Sequence, residues 1–167
     1  ADSEEAAMDS SEAPALSIAD LPGMAERTVV CDGFSKTYAM TGWRLGYGIM
    51  PPLLAERVEL LLTHSIGCTA SFTQIAGLRA VRGTQQPVDL MVAEYRRRRD
   101  VLVSGLNAIS GITCRSPQGA FYAFPNITQF GCSSEWLADY LLEKAGVAVL
   151  PGTAFGAGGE GYLRICF

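Results

Sequence analysis

The residues of this chain best suited to chemistry lie in one short stretch behind an apolar run. Lys36 follows residues 28–31, whose side chains predict a strand. Burial at a strand end favours the neutral amine of a lysine, and a neutral amine is a nucleophile for aldehydes. Ser35 and Arg44 offer a hydroxyl and a planar guanidinium, groups that can hold a phosphate. Together they suggest a Schiff-base lysine beside a phosphate site; taken alone, they favour a surface lysine and arginine on an ordinary loop.

The complete run, Ser35–Tyr47, resembles the cofactor-lysine signature of the class I and II aminotransferases, fold type I enzymes that use pyridoxal 5'-phosphate. In that family the lysine bonds to the cofactor aldehyde as a Schiff base. The serine before it contacts the cofactor phosphate, and the arginine further along pairs with that phosphate. The resemblance therefore implies that Lys36 is the catalytic and cofactor-binding lysine and that Ser35 and Arg44 bind the phosphate.

The resemblance continues through the second half of the chain. Residues 116–125 are similar to the family's strand entry into the small domain, and residues 149–156 to the segment that closes over the substrate. Residues 161–167 are similar to the strand that carries the substrate-carboxylate arginine, a role that would fall on Arg164. A guanidinium suits a carboxylate because it donates two parallel hydrogen bonds. Without the resemblance, an edge-strand arginine facing water would be preferred.

The resemblance implies a cytoplasmic, homodimeric enzyme that transfers an amino group between an amino acid and a 2-oxo acid. Two other enzymes share the scaffold, a carbon–sulfur lyase and a lyase similar to aminocyclopropanecarboxylate synthase. A non-catalytic, truncated chain is the alternative from a different class. Because the resemblance covers roughly residues 16–167 and the family chain is much longer, we expect a C-terminal fragment that is inactive alone.

The implied fold is α/β, with the end of the large-domain sheet followed by the α+β C-terminal small domain. Residues 1–15 are acidic and small, which predicts poor order. Residues 16–86 would be a remnant of the cofactor-binding large domain. Residues 87–167 would be the small domain, truncated before its last helix. Phe121 and Tyr122 are candidates to line the substrate pocket, and a role in the core fits each of them equally well.

Hydrophobic periodicity predicts the elements that must position these residues. Residues 28–49 are expected to form a strand, the lysine loop and a second strand. The other expected helices are 53–64, 71–82, 88–109 and 133–144, and the other expected strands are 112–114, 120–124, 147–150 and 162–167. Ser133 or Ser134 is the expected N-cap of the last helix. Its expected buried stripe is Trp136, Leu137, Tyr140 and Leu141.

Composition bounds the partners of the protein. The 167 residues carry a net charge of −4, which gives no indication of nucleic acid or of an anionic membrane. The five cysteines are odd in number and widely spaced, which argues against a disulfide framework and a zinc site. The one histidine, His64, excludes a histidine cluster, so no metal site is predicted. The basic run Arg96–Arg99 is interpreted as a solvated face with ion pairs.

Two further motifs are set aside. Residues 156–161 satisfy Gly-x-Gly-x-x-Gly, but a dinucleotide site needs a helix directly afterwards and a strand is predicted there. We therefore expect a glycine loop before the arginine strand. The family also has an Asp-x-x-Tyr pair ahead of the lysine. Asp2 stands near the right distance, but Glu5 occupies the place of the tyrosine, so neither role is assigned.

Overall fold

The computed structural model describes residues 17–167, which fall into two compact units with the boundary between Gln85 and Gln86. The acidic segment 1–15, including Asp2 and Glu5, lies outside the described residues. Among the residues that are described, no helix is long and apolar enough to cross a membrane.

The first unit consists of a β-hairpin and two longer helices. Its elements are β1 (Val30–Gly33), α1 (Phe34–Thr37), β2 (Gly46–Ile49), α2 (Pro52–Ser65) and α3 (Ser71–Arg82), with short 3-10 turns at Ile18–Asp20, Ala25–Arg27 and Thr41–Trp43. β1 and β2 pair antiparallel, with Val30 opposite Ile49 and Gly33 opposite Gly46. The predicted order of strand, lysine loop, strand and two helices is thus what the structure contains.

The helices of the first unit expose most of their apolar side chains. No residue of α2 is buried, and α3 buries only Thr73 and Gly77. The exposed apolar residues of these helices include Leu53, Leu60, Leu61, Phe72, Ile75 and Val81. His64, on α2, is also exposed. An apolar surface of this extent is typical of a face that is covered by other protein.

The second unit contains two helices and a small antiparallel sheet, against which the second of these helices packs. Its elements are α4 (Gln86–Asn107), β3 (Tyr122–Ala123), α5 (Ser134–Ala145), β4 (Leu150–Pro151) and β5 (Leu163–Cys166), with 3-10 turns at Thr128–Phe130, Gly152–Phe155 and Ala157–Gly159. The strand order is β3-β5-β4, so the last strand lies in the centre. The predicted strand 112–114 is reduced to a single bridge between Thr113 and Asn126. The glycine-rich segment 156–161 leads into β5, as expected.

The core of the second unit lies under α5. Ile127, Ala138 and Leu163 form a buried cluster, against which Leu137 and Leu141 pack. The expected buried stripe of α5 is half wrong, because Trp136 and Tyr140 are exposed and stack on each other with ring centroids 5.2 Å apart. Trp136 and Tyr140 lie one turn apart on the solvent side of α5. The helical periodicity correctly predicts that they are neighbours, but it assigns them to the buried face.

The N-terminus of α5 is fixed by two side chains. Ser133 is the N-cap and its Oγ accepts a hydrogen bond from the backbone N–H of Trp136, as predicted. The carboxylate of Glu160 accepts hydrogen bonds from the Ser134 N–H at 2.8 Å, the Ser134 hydroxyl at 3.0 Å and the Gly161 N–H at 3.0 Å. Glu160 therefore ties the segment before β5 to the start of α5.

We expect Glu160→Gln to lower the thermal midpoint at pH 7 and to lose this effect in acid. The backbone N–H groups of Ser134 and Gly161 lower the pKa of Glu160 below its usual 4.5. The stabilisation is therefore fully present above pH 4.5 and disappears as the pH falls through the lower folded-state pKa. Thermal unfolding followed by circular dichroism across this range is the measurement.

Glu143→Gln is the matched control for this prediction. Glu143 is exposed on α5, the helix whose N-terminus Glu160 contacts. It has no hydrogen-bond or ion-pair partner among residues 17–167. The control should leave the midpoint nearly unchanged at every pH. A Glu160→Gln protein as stable as the wild type at pH 7 would show that the carboxylate does not anchor the segment.

The basic run on α4 forms ion pairs on a solvated face. Glu94 accepts hydrogen bonds from Arg97 at 2.9 Å and from Arg98 at 2.7 Å, and these lower the pKa of Glu94 to about 2. Arg99 pairs with Asp100 at 2.9 Å. The interpretation as an exposed face with ion pairs is confirmed for Arg97 and Arg98, whereas the Arg99 side chain is half-buried.

Candidate active site

The lysine loop, residues 34–45, connects the two strands of the hairpin, which fix its two ends. Gly33 and Gly46 are the last paired residues, and the Phe34 N–H donates to the Leu45 carbonyl at 3.1 Å, directly behind them. The loop opens with α1, which carries Ser35 and Lys36, and ends at Arg44. The structure therefore places Ser35, Lys36 and Arg44 in one loop with a closed base.

Phe34 anchors this loop. Its side chain is buried and contacts the rings of Tyr38, at 5.4 Å between centroids, and Tyr47, at 5.7 Å. Gly77 of α3 makes room for it, because a Cβ there would lie 3.3 Å from the Phe34 ring and would overlap Leu45. Phe34, Leu45 and Gly77 thus fix α1 against α3, and with it the backbone of Lys36.

Two residues of the loop adopt the left-handed backbone region, although neither is glycine. Ala39 has a φ of 52° and Arg44 a φ of 51°. This region costs a side chain with a Cβ roughly 1–2 kcal/mol, so the surrounding structure must impose it. At Arg44 it turns the chain back over the Thr41–Trp43 turn, and Nη1 donates to the Thr41 carbonyl at 3.0 Å.

A cross-strand pair at the base of the loop was missed by the sequence reasoning. Asp32 and Tyr47 lie opposite each other in the hairpin, and the Tyr47 hydroxyl donates to Asp32 Oδ2 at 3.1 Å. The Gly33 N–H donates to Asp32 Oδ1 at 2.7 Å. The hydrogen bond to Asp32 raises the pKa of Tyr47. Pairing the two predicted strands around the loop would have placed these residues side by side.

The expected burial of the lysine is wrong for this chain. Lys36 and Arg44 are exposed and Ser35 is half-buried. β1 is itself exposed at Cys31 and Asp32, so the strand end provides little desolvation.

The donor set of the loop nevertheless fits a phosphorylated aldehyde. The Ser35 hydroxyl makes no hydrogen bond to the described residues, and Nη1 is the only Arg44 atom with such a partner. A hydroxyl and a guanidinium with open N–H groups can take a phosphate, and the adjacent lysine offers a primary amine to an aldehyde. No group of three or more His, Cys, Asp and Glu residues suited to a metal ion occurs within residues 17–167.

Arg164 belongs to the second unit. It lies in the central strand β5, opposite Leu150 of β4, and is half-buried. Its guanidinium carbon lies 4.4 Å from the centroid of the Tyr122 ring and 4.3 Å from that of Phe155. It has no hydrogen-bond or ion-pair partner in the described part of the chain. A half-buried cation without an anionic partner can accept one from a ligand.

Known proteins are similar in sequence to most of this chain. The model of the family "Aminotransferase class I and II" matches residues 4–167. The aspartate aminotransferase of Pyrococcus horikoshii is 48% identical over 144 residues, which are 85% of this chain and 37% of that protein. The aromatic-amino-acid aminotransferase 2 of Thermococcus litoralis is 43% identical over 153 residues, 90% of this chain and 39% of that protein.

A solved structure shows the same fold. The crystal structure of the aromatic aminotransferase from Pyrococcus horikoshii superposes with a TM-score of 0.87 at 43% sequence identity, over 93% of this chain and 42% of that one. The chain thus spans about two-fifths of the length of its relatives, with 37% to 42% of each covered.

Proposed function

The chain belongs to the class I and II aminotransferases, and from this premise we propose that the protein transfers an amino group from an amino acid to a 2-oxo acid with pyridoxal 5'-phosphate as cofactor. The observation that carries the proposal is the lysine loop, in which a hydroxyl, a primary amine and a guanidinium follow one another on a closed hairpin. A homodimeric assembly and a cytoplasmic location are parts of the same proposal.

Three residues of the loop have roles in this proposal. Ser35 and Arg44 bind the phosphate, and the backbone that Phe34 anchors keeps the Lys36 amine beside it. When bound, the cofactor supplies an electron sink for the α-carbon of the substrate. Lys36 Nζ would hold the cofactor and, once free of it, would take up the proton from the substrate α-carbon.

Arg164 binds the α-carboxylate of the substrate. Two N–H groups of its guanidinium would donate to the two carboxylate oxygens, which would fix the orientation of the substrate at its carboxylate end. Since relatives are named for aspartate and for aromatic amino acids, these are the first amino donors to assay.

A lyase reaction is distinguished from transamination by its products. A carbon–sulfur lyase releases ammonia and a thiol from a sulfur amino acid, and the cyclopropane-forming lyase makes an aminocyclopropanecarboxylate without consuming a 2-oxo acid. A transaminase consumes one 2-oxo acid for each amino acid that it deaminates. Formation of a new amino acid from an added 2-oxo acid, measured by chromatography, supports the proposal; ammonia without a new amino acid contradicts it.

We expect Arg44→Ala to weaken cofactor binding in the protein encoded by the complete reading frame. A charge-assisted hydrogen bond contributes roughly 1–3 kcal/mol, which corresponds to about a 5- to 150-fold rise in the dissociation constant. Titration of pyridoxal phosphate, followed by the absorbance of the bound form, measures the effect. Arg57→Ala, an exposed arginine of α2 in the same unit, is the control and should bind like the wild type. Equal affinities in Arg44→Ala and Arg57→Ala would remove the phosphate role from Arg44.

A further inference from the structure

The guanidinium of Arg164 is held by aromatic rings instead of by hydrogen bonds. Its carbon lies 4.4 Å from the Tyr122 centroid and 4.3 Å from the Phe155 centroid, well inside the 6 Å or so over which a cation is attracted to a ring face. We call Tyr122 and Phe155 the aromatic clamp. The attraction fixes the side chain without using its N–H groups, which make no hydrogen bond to residues 17–167 and can therefore donate to a ligand.

Other rings support both members of the clamp. Tyr122 contacts Phe121, with 4.6 Å between centroids, and Phe121 stacks on Tyr95 at 5.7 Å. Phe155 meets Phe124 edge to face at 6.2 Å, and Phe124 stacks on Tyr162 at 5.1 Å. Because each ring is packed against a neighbour, the clamp has a set position before any ligand arrives.

The backbone that carries Phe155 is also fixed. Phe155 ends the Gly152–Phe155 turn, whose first N–H donates to the Tyr162 carbonyl at 2.8 Å. Gly152 and Gly159 approach so closely that a Cβ on either would overlap the backbone of the other. The first residue of the turn is therefore fixed, which limits the freedom of the Phe155 ring, three residues later, to leave Arg164.

We propose that Tyr122 and Phe155 are positioning residues that orient the Arg164 guanidinium for the substrate carboxylate, an inference that rests on the role of Arg164 in the proposed function. A long, flexible arginine side chain otherwise has to be ordered when the substrate binds, which weakens binding. The clamp orders it beforehand, so the open N–H groups already present a planar fork to a planar carboxylate. Phe155 contributes no polar atom and acts only through Arg164.

Phe155→Leu in the protein encoded by the complete reading frame tests the clamp. We expect the KM for the amino acid substrate to rise about 3- to 30-fold, the range for loss of a cation–π contact, with kcat and cofactor affinity nearly unchanged. Phe155→Tyr retains the ring face and should restore KM. Phe130→Leu is the matched control, since Phe130 is 45% exposed against 49% for Phe155 and makes no contact with Arg164. A wild-type KM in Phe155→Leu, or an equal rise in Phe130→Leu, would overturn the proposal.

A second readout does not depend on turnover. The readout is the NMR chemical shift of the Arg164 Nε–H proton, assigned by its disappearance in Arg164→Lys. Ring currents of Tyr122 and Phe155 should separate this shift from those of the exposed arginines. In Phe155→Leu the resonance should move toward those of the exposed arginines; an unmoved resonance would overturn the clamp.

Arg164→Ala distinguishes failure of the aromatic clamp from failure of the carboxylate role of Arg164. If Arg164→Ala raises KM and Phe155→Leu does not, the clamp fails and the role of Arg164 stands. If neither variant raises KM, the carboxylate role of Arg164 fails as well.

Discussion

Replacing Lys36 with alanine should lower kcat for transamination by at least about 10²- to 10⁴-fold, the contribution of a positioned general acid–base group. The variant loses both the covalent attachment of the cofactor and the amine that carries the proton. The affinity for the cofactor should fall by a smaller factor than kcat, because Ser35 and Arg44 would still bind the phosphate. Steady-state kinetics with aspartate and with an aromatic amino acid, in the protein encoded by the complete reading frame, measure the effect.

The chain offers one matched control for this experiment. Lys144, in the last turn of α5, is the other lysine of the sequence, and it is exposed. Lys144→Ala should retain wild-type kinetics. A Lys36→Ala protein that turns over like Lys144→Ala would show that the reaction does not use the lysine loop.

Replacing Arg164 with alanine should reduce kcat/KM by about 5- to 150-fold, the range for a lost charge-assisted hydrogen bond. Most of the loss is expected in KM, and kcat also falls if the bound substrate is no longer aligned for the reaction. Affinity for the cofactor should be unchanged, which distinguishes Arg164 from Arg44. The measurements are steady-state kinetics and a cofactor titration on the same preparation.

Arg98→Ala controls for the loss of a positive charge. Arg98 lies on the solvated face of α4 and pairs with Glu94. The Arg98→Ala variant should leave KM unchanged. If Arg164→Ala binds every amino acid tested as the wild type does, or loses the cofactor at normal substrate affinity, another residue binds the carboxylate.

The longer elements follow from the sequence because their signals are local. The spacing of apolar residues predicts helices within a few residues of α2, α3 and α5, and Ser133 caps α5 as a serine at that position should. The short strands β3 and β4 are different. Each has only two residues and is defined by hydrogen bonds to β5, so its boundaries depend on tertiary pairing.

The lysine loop was predictable as a local segment, but its surroundings were not. The run around Lys36 identifies the loop, yet its exposure depends on what covers the hairpin, which the sequence of the loop does not contain. The left-handed Ala39 and Arg44 have no local signal, since alanine and arginine ordinarily avoid that region. The clamp around Arg164 joins β3, β5 and the 152–155 turn, residues that are distant in sequence and become neighbours only in the folded unit.

The attachment of the cofactor to Lys36 is the central claim, and chemical labelling tests it most directly. The protein encoded by the complete reading frame is incubated with pyridoxal phosphate and reduced with tritiated borohydride, which makes a lysine–cofactor bond permanent, and the labelled peptide is then sequenced. The account predicts that, of the two lysines in this chain, the label lies on Lys36. Label on Lys144, or on neither lysine, would contradict it.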